Sequence, residues 1–296
     1  MAERAEPHAV VTREVLVRYL DAWTPVVLRS HRHATYVDAG RGDFAMHALR
    51  VFGEFADRLE GHQLDVVVLR ESADPLAAVL RELGEPPGLS LRSVEDPGDL
   101  KVTGPALAHI DATAGSTLDE AAAWRLVTSL TPGKAREVLL TLPPAGSDQV
   151  SDYRTRLRKA GLTAALAVEL ADDDGQTQLL LFATADNKHL ATFKNELWAA
   201  DELAGIRYRD PRDARHTPVD ISLNPQLVPL RAALLDELAR RGRCTVADLQ
   251  QHTLRETIYR PADTVRVLTS AATAGTITRE PPKGRMSPRT VVSYRP

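Results

Sequence analysis

The chain has 296 residues, 43% apolar and 26% charged, with a net charge of −3, a balance that suits one large or two smaller globular domains and excludes disorder and collagen-like repeats. Apolar runs such as Val66 to Leu69 and Leu139 to Leu142 fall far short of the roughly 20 residues a membrane helix needs, and the charged start does not read as a signal peptide, so a cytoplasmic protein with no membrane partner is expected. A single cysteine, Cys244, excludes a disulfide framework and a cysteine-held zinc or iron–sulfur site within this chain. Of the 37 basic residues six are lysine and 31 arginine, and from Arg231 to Pro296 twelve bases face six acids, so the two parts of the chain are expected to meet different partners.

In chain order, Val10 to Leu28 has apolar residues at helical spacing (Val11, Val15, Leu16, Tyr19, Leu20, Trp23), which predicts an amphipathic helix capped by Thr12 and interrupted near Pro25. Short β-rich runs then alternate with helical patterns: Ala34 to Ala39, Val66 to Arg70, Leu89 to Ser93, Ala106 to Asp111 and Glu137 to Leu142. Such alternation predicts a parallel sheet covered by helices. Leu166 to Leu170 and Leu179 to Thr184 are separated by a short turn-rich segment, too short for a crossover helix, and should form an antiparallel hairpin. Five parallel strands and a terminal hairpin resemble the Rossmann-like sheet of class I S-adenosylmethionine-dependent methyltransferases. Residues 1–206 are assigned to this α/β domain, and 207–226, which lack sustained periodicity and include Asn224-Pro225, to a linker.

The unit 227–296 opens with a Leu227-Leu230-Leu234-Leu238 stripe ending at Gly242. A short helix capped by Thr245 follows, then a helix opened by Pro261 with Val265, Leu268 and Ala272 as its expected apolar face and Gly275 as its stop. A strand, a Pro/Gly loop and a closing strand complete the pattern of a winged helix. That fold places its third helix in the major groove and its wing on phosphates. The predicted contacts to duplex nucleic acid are therefore Arg255, Thr257, Tyr259 and Arg260 before the third helix, Arg266 and Ser270 on it, and Lys283, Arg285 and Arg289 in the loop.

In the α/β domain, Asp38-Ala39-Gly40-Arg41-Gly42 at the end of the first strand has the acid and small residues that let a cofactor approach the backbone. Asp38, Gly40 and Gly42 are assigned to the amino-acid end of S-adenosylmethionine, Glu71 after the second strand to ribose, Asp96 after the third to adenine, and Asp111 after the fourth to the substrate side as the candidate catalytic residue. Acids at strand ends also cap helices. No proline-aromatic clamp for a base follows Asp111, and the histidines (His31, His33, His47, His62, His109) lack metal-ligand spacing, so no metal is expected.

The segments Val17-Arg18-Tyr19-Leu20-Asp21-Ala22-Trp23, Tyr36-Val37-Asp38, His109-Ile110-Asp111, Tyr153-Arg154-Thr155-Arg156-Leu157, Phe193-Lys194-Asn195-Glu196-Leu197-Trp198 and Thr257-x-Tyr259 resemble the three-Cys-motif partner (TcmP) family. The resemblance implies a methyltransferase-type fold with a C-terminal winged extension and a separate three-cysteine protein as partner. Two of its motifs differ here. Asp38-Ala39-Gly40-Arg41-Gly42 runs directly into Asp43-Phe44-Ala45-Met46 in place of a longer glycine loop, and Asp111-Ala112-Thr113-Ala114 replaces the D-P-F-G of the fourth strand. The expected function is a nucleic-acid-directed, methyltransferase-like protein that binds S-adenosylmethionine or a related nucleotide. A non-catalytic DNA-binding or regulatory protein, with the Rossmann domain serving for homodimerisation or docking, and an assembly partner of the three-cysteine protein are the alternatives.

Overall fold

The computed structural model describes residues 7–40, 43–69, 74–131, 133, 135–200, 205–213, 217–219 and 226–295, in two compact units that divide between Pro218 and Val219. In the first, α1 (Pro7–Ser30) precedes β1 (His33–Ala39), α2 (Asp43–Gly53), β2 (Gln63–Leu69), α3 (Asp74–Glu82) and β3 (Leu89–Val94). After these come β4 (Ala106–Asp111), α4 (Glu120–Leu130), β5 (Arg136–Leu142), α5 (Ser147–Lys159), β6 (Ala164–Ala171), β7 (Thr177–Thr184), α6 (Asn187–Ala199) and β8 (Arg207–Arg209), and the two-residue β9 (Pro218–Val219) falls on the division. The sheet order is β3-β2-β1-β4-β5-β7-β6-β8-β9. The first five strands run parallel, and β7 lies antiparallel to both β5 and β6.

Strands buried on both faces need near-continuous apolar sequence, because helices cover each side, and Val66 to Leu69, Ala106 to Ile110 and Val138 to Leu140 meet that demand, with His109 the one polar insertion. On one face Val37, Val67, Ile110, Leu140 and Leu181 pack against Leu126 and Leu130 of α4 and Val150 and Leu157 of α5. On the other, the rings of Phe182 and Phe193 stack at 4.1 Å, and Tyr19 meets both edge-on. The hairpin expected over Leu166 to Thr184 is β6 and β7, joined through residues 172–176.

Three local expectations change. Helix α1 runs unbroken through Pro25. The carbonyl left without the Pro25 N–H belongs to exposed Asp21, where solvent can satisfy it, and burial of Val27 and Leu28 holds the last turn in place. Thr12 is no cap: it is buried inside the helix and its hydroxyl has no hydrogen-bond partner. Arg207 to Arg209, expected in the linker, adds to the free edge of β6 as β8, a pairing too short to leave a periodic signal.

The second unit comprises α7 (Val228–Arg241), β10 (Arg243–Thr245), α8 (Val246–Glu256), α9 (Pro261–Thr273), β11 (Ile277–Glu280) and β12 (Val291–Tyr294). Its three strands form an antiparallel sheet in the order β10-β12-β11. Gly242 stops α7 at φ 77°, a conformation that glycine adopts without a Cβ penalty, and Thr245 with Asp248 forms a reciprocal capping box on α8. The inward face of α9 is Thr264, Val267, Leu268 and Ala271. Val265 and Ala272, expected inside, are only half-buried, so the helix is rotated by about one residue from the expected stripe, and a hydroxyl-to-hydroxyl bond from Thr264 to Thr253 (2.7 Å) makes the threonine acceptable inside.

Candidate functional site

Between β1 and β4 the strand order reverses direction, and in open α/β sheets the crevice outside the carboxyl ends of such strands is where ligands bind. Asp38 and Asp111 both end there, on adjacent strands. Asp38 is 2% exposed. One of its carboxylate oxygens accepts the backbone N–H of Ala45 at 2.7 Å, in the first turn of α2, and the other meets Nδ1 of His109 at 2.9 Å. The far nitrogen of that ring lies 3.4 Å from the Thr141 hydroxyl, and Phe44 packs on its face with ring centroids 4.2 Å apart. Both oxygens of Asp38 are thus engaged by the protein itself.

Gly40 is explained by the same packing. A Cβ built on it would stand 2.6 Å from Cβ of Asp111, closer than two carbons can approach, so the glycine lets the chain leaving β1 pass the end of β4. Asp111, 5% exposed, accepts the Thr113 N–H (2.9 Å) and hydroxyl (2.6 Å), while its own carbonyl accepts from Ser116. It therefore shapes the turn after β4 at the edge of the crevice. Asp96 caps a single 3₁₀ turn by accepting the Gly98 N–H at 2.8 Å. Gly42 and Glu71 lie outside the described residues. The structure brings Asp38, Gly40 and Asp111 together as expected and gives each a partner within the fold.

In the second unit the nine predicted contacts divide. Thr257 and Tyr259 are turned inward: the Thr257 hydroxyl donates to the Thr253 carbonyl and accepts the Tyr259 N–H, and the Tyr259 hydroxyl donates to the carbonyl of Gln226. They build the corner between α8 and α9 and cannot touch a nucleic acid. Arg255 is half-buried just before that corner. Arg260 is held on the buried carboxylate of Asp263 at 3.2 Å, at the start of α9. Arg266 stays about half exposed, 3.8 Å from the same carboxylate, and with Val265, Thr269, Ser270, Thr273 and Ala274 it lines a shallow open groove along α9. Lys283, Arg285 and Arg289 are exposed. Their loop is shaped by the Arg279 guanidinium, which donates to the carbonyls of Pro281 and Gly284 (2.9 and 2.7 Å), and by buried Met286.

One polar cluster has no signal in the sequence. Glu137, near the start of β5, gathers Tyr19 and Trp23 of α1 and His189 of α6, residues 114 and 118 positions before it and 52 after. Only the fold brings them together.

No protein-family model matches this chain, and no curated protein does. Among solved structures it is similar to an O-methyltransferase family 2 protein from Planctomyces limnophilus in complex with apigenin, with 17% identity, 53% of this chain and 52% of that one covered, and a TM-score of 0.33. It is also similar to an O-methyltransferase family protein from Burkholderia thailandensis (14% identity, 59% of each chain, TM-score 0.34). A third is the N,N-8-amino-8-demethyl-D-riboflavin dimethyltransferase from Streptomyces davawensis (13% identity, 57% of this chain and 55% of that one, TM-score 0.33). The chain thus covers 52% to 59% of these proteins' own length. What defines the first unit is its own strand order, a mostly parallel, Rossmann-like sheet with the antiparallel seventh strand of methyltransferase-type folds. Among the described residues no helix is long and apolar enough to cross a membrane, and no cluster of three or more His, Cys, Asp or Glu side chains is arranged to hold a metal ion.

Proposed function

We propose that this chain is a nucleic-acid-binding protein in which a methyltransferase-type α/β domain is joined to a winged helix, with α9 as the recognition helix and the 281–289 loop as the wing. The observation that carries this reading is the second unit's order of elements, helix, strand, two helices and two strands, together with the groups its outer surfaces present. Arg266, Thr269, Ser270 and Thr273 are exposed on α9, and Lys283, Arg285 and Arg289 stand exposed in the loop with no ion-pair partner among the described residues. Exposed cations on a loop suit phosphates, which dominate affinity through counterion release, while an arginine and hydroxyls on one helix face suit base edges. Binding to duplex DNA measured against salt concentration tests this. Replacing Arg289 by alanine is expected to weaken binding on every sequence and to lower the salt slope by about 1, whereas Arg266→Ala costs about 1–3 kcal/mol on a preferred sequence and little elsewhere. No affinity at low salt, or affinity insensitive to salt, assigns the basic loop to a protein interface, with the three-cysteine protein or a second copy as its occupant.

The strand order favours a further component of the same reading, S-adenosylmethionine or a related nucleotide in the crevice at the carboxyl ends of β1 and β4. Asp38 would support the crevice from beneath by ordering the first turn of α2, and Asp111 would face the substrate side through the turn it holds. When bound, the cofactor would supply an activated methyl group. Raised thermal stability on adding S-adenosylhomocysteine is the expected result, by mass action. An unchanged melting temperature at millimolar ligand removes the cofactor from the reading and leaves the nucleic-acid function standing.

A further inference from the structure

Glu137 is 2% exposed, and a carboxylate placed in a sheet interior is tolerable only when donors meet it. Three do. The Tyr19 hydroxyl takes one oxygen, while Trp23 Nε1 (3.0 Å) and His189 Nδ1 (2.6 Å) share the other. Tyr19 is fully enclosed, and burial followed by the Glu137 charge pushes its hydroxyl well above the ordinary range, so it remains a donor. The Trp23 indole can only donate. His189 differs from both because its side chain is 22% exposed and opens on a cleft of about 730 Å³. Its hydrogen bond to Glu137 outweighs burial and raises the ring's pKa above the usual 6.5. The ring is thereby oriented and biased toward the imidazolium, with Nε2 left over from the bond to Glu137.

The cleft lies at the amino ends of the strands. Pro105 and Ala135, which precede β4 and β5, line it with Val26 and Val27 of α1 and Lys188 and His189 of α6. It stands one strand length from Asp111, roughly 15–20 Å for strands of this size, and its volume lies in the range of about 300–1,000 Å³ typical of small-molecule sites. Val26, Val27, Pro105 and Ala135 make an apolar wall, and Lys188 is exposed beside His189. Asp186, the acid in the same cleft, has its carboxylate turned to the Lys188 backbone N–H at 2.7 Å. An apolar wall beside the Lys188 ammonium and the His189 ring N–H suits an anion on an apolar body.

We propose that this cleft is a binding site for a small organic anion, a carboxylate or phosphate monoester on an apolar or aromatic body, with His189 as the hydrogen-bond donor to the anion, Glu137 as the residue that positions it and Lys188 as the second cation. The site is independent of the nucleic-acid reading. Titration calorimetry of the full chain with benzoate and with phenyl phosphate tests it, with benzamide as the neutral control of similar shape. Saturable binding of at least one anion, preferred about tenfold or more over benzamide, is expected, and the stronger of the two identifies the carboxylate or the phosphate as the recognised group. His189→Gln should weaken it by about tenfold and Lys188→Ala by about threefold, whereas Asp111→Asn, at the other end of the sheet, should leave it unchanged. Where His189→Gln fails to fold, Lys188→Ala, an exposed position, decides alone. Affinity should also fall as the pH rises through the titration of His189, whose ring faces Glu137 of β5, Asp186 at the cap of α6 and Lys188 in its first turn. His31 lines the same cleft, so His31→Gln must retain that profile. Binding of neither anion, equal binding of benzamide, or anion binding untouched by the His189 and Lys188 variants overturns the proposal.

Discussion

Asp38 and Glu137 each hold a histidine through Nδ1 from within the same sheet, at 2.9 and 2.6 Å, yet the two pairs stand at opposite ends of the strands and in different surroundings. At the carboxyl ends, His109 is 0% exposed, enclosed by Phe44 and Thr141, and the pair joins β1, β4 and the first turn of α2. At the amino ends, His189 is 22% exposed and reaches a cleft. Burial of both partners makes a polar tie that the fold depends on, whereas burial of the carboxylate alone makes an oriented imidazole that solvent or a ligand can reach.

The largest effect that separates the pairs is on stability. Asp38→Ala leaves the Ala45 N–H and the His109 ring without their acceptor in a sealed interior, and each buried donor left unsatisfied costs about 1–3 kcal/mol. His189→Ala removes a half-buried ring from an acid that retains two other donors, and should cost clearly less. Urea unfolding of both variants checks the order, and equal losses would erase the distinction between a sealed and an open pair.

Next in size is Gly40→Ala. The added carbon meets Cβ of Asp111 at 2.6 Å, on a residue whose side chain and backbone are both fixed by the turn after β4, so relief requires the strand ends to move apart. Overpacking of this kind typically costs about 1–3 kcal/mol. A variant as stable as the parent would show that the ends of β1 and β4 have room, and would return Gly40 to the role of a ligand's cradle.

The chain's division into an α/β part and a helical part with a β-hairpin was legible because the strands are dense apolar runs and the helices carry caps and stops, Thr245, Gly242 and Pro261 among them. The rest failed where evidence is non-local. β8 forms because β6 leaves an edge to pair with, and Arg207-Tyr208-Arg209 alone carries no such sign. Thr257 and Tyr259 looked like surface polar groups because their acceptors, on Thr253 and Gln226, are fixed only after the corner is folded. Asp38 and Asp111 stand at the strand ends where they were expected, but their partners His109, Ala45 and Thr113 were not foreseen, since spacing shows where a carboxylate stands and not what it faces. Glu137 was hidden for the same reason, its three donors coming from two distant helices.

A smaller, pH-dependent effect distinguishes the open pair. The raised pKa of His189 in the folded chain means that its contribution to stability is fully present below the unfolded value, near 6.5, and is lost as pH climbs through the folded value. The parent's urea midpoint should therefore fall relative to that of His189→Gln as the pH moves upward from about 6, with Glu137, Asp186 and Lys188 the charges that face the ring. A difference that is constant across this range would mean that the imidazolium gains nothing from Glu137 in the folded state.

The smallest change is expected at Asp111. Its carboxylate oxygen accepts the N–H and hydroxyl of Thr113, and the amide oxygen of asparagine can accept both in the same geometry, so the loss through these two bonds in Asp111→Asn should stay within about 0.5–1 kcal/mol. Asp111→Ala removes the acceptor altogether and should cost more, with the turn through Ser116 loosened. If Asp111 only shapes that turn, Asp111→Asn leaves S-adenosylhomocysteine binding unchanged along with stability. If the proposed crevice does carry out methyl transfer and the acid faces its substrate, the same variant loses that transfer while keeping the bonds to Thr113. The two roles then separate in a single substitution, since asparagine keeps the acceptor for Thr113 and removes the charge.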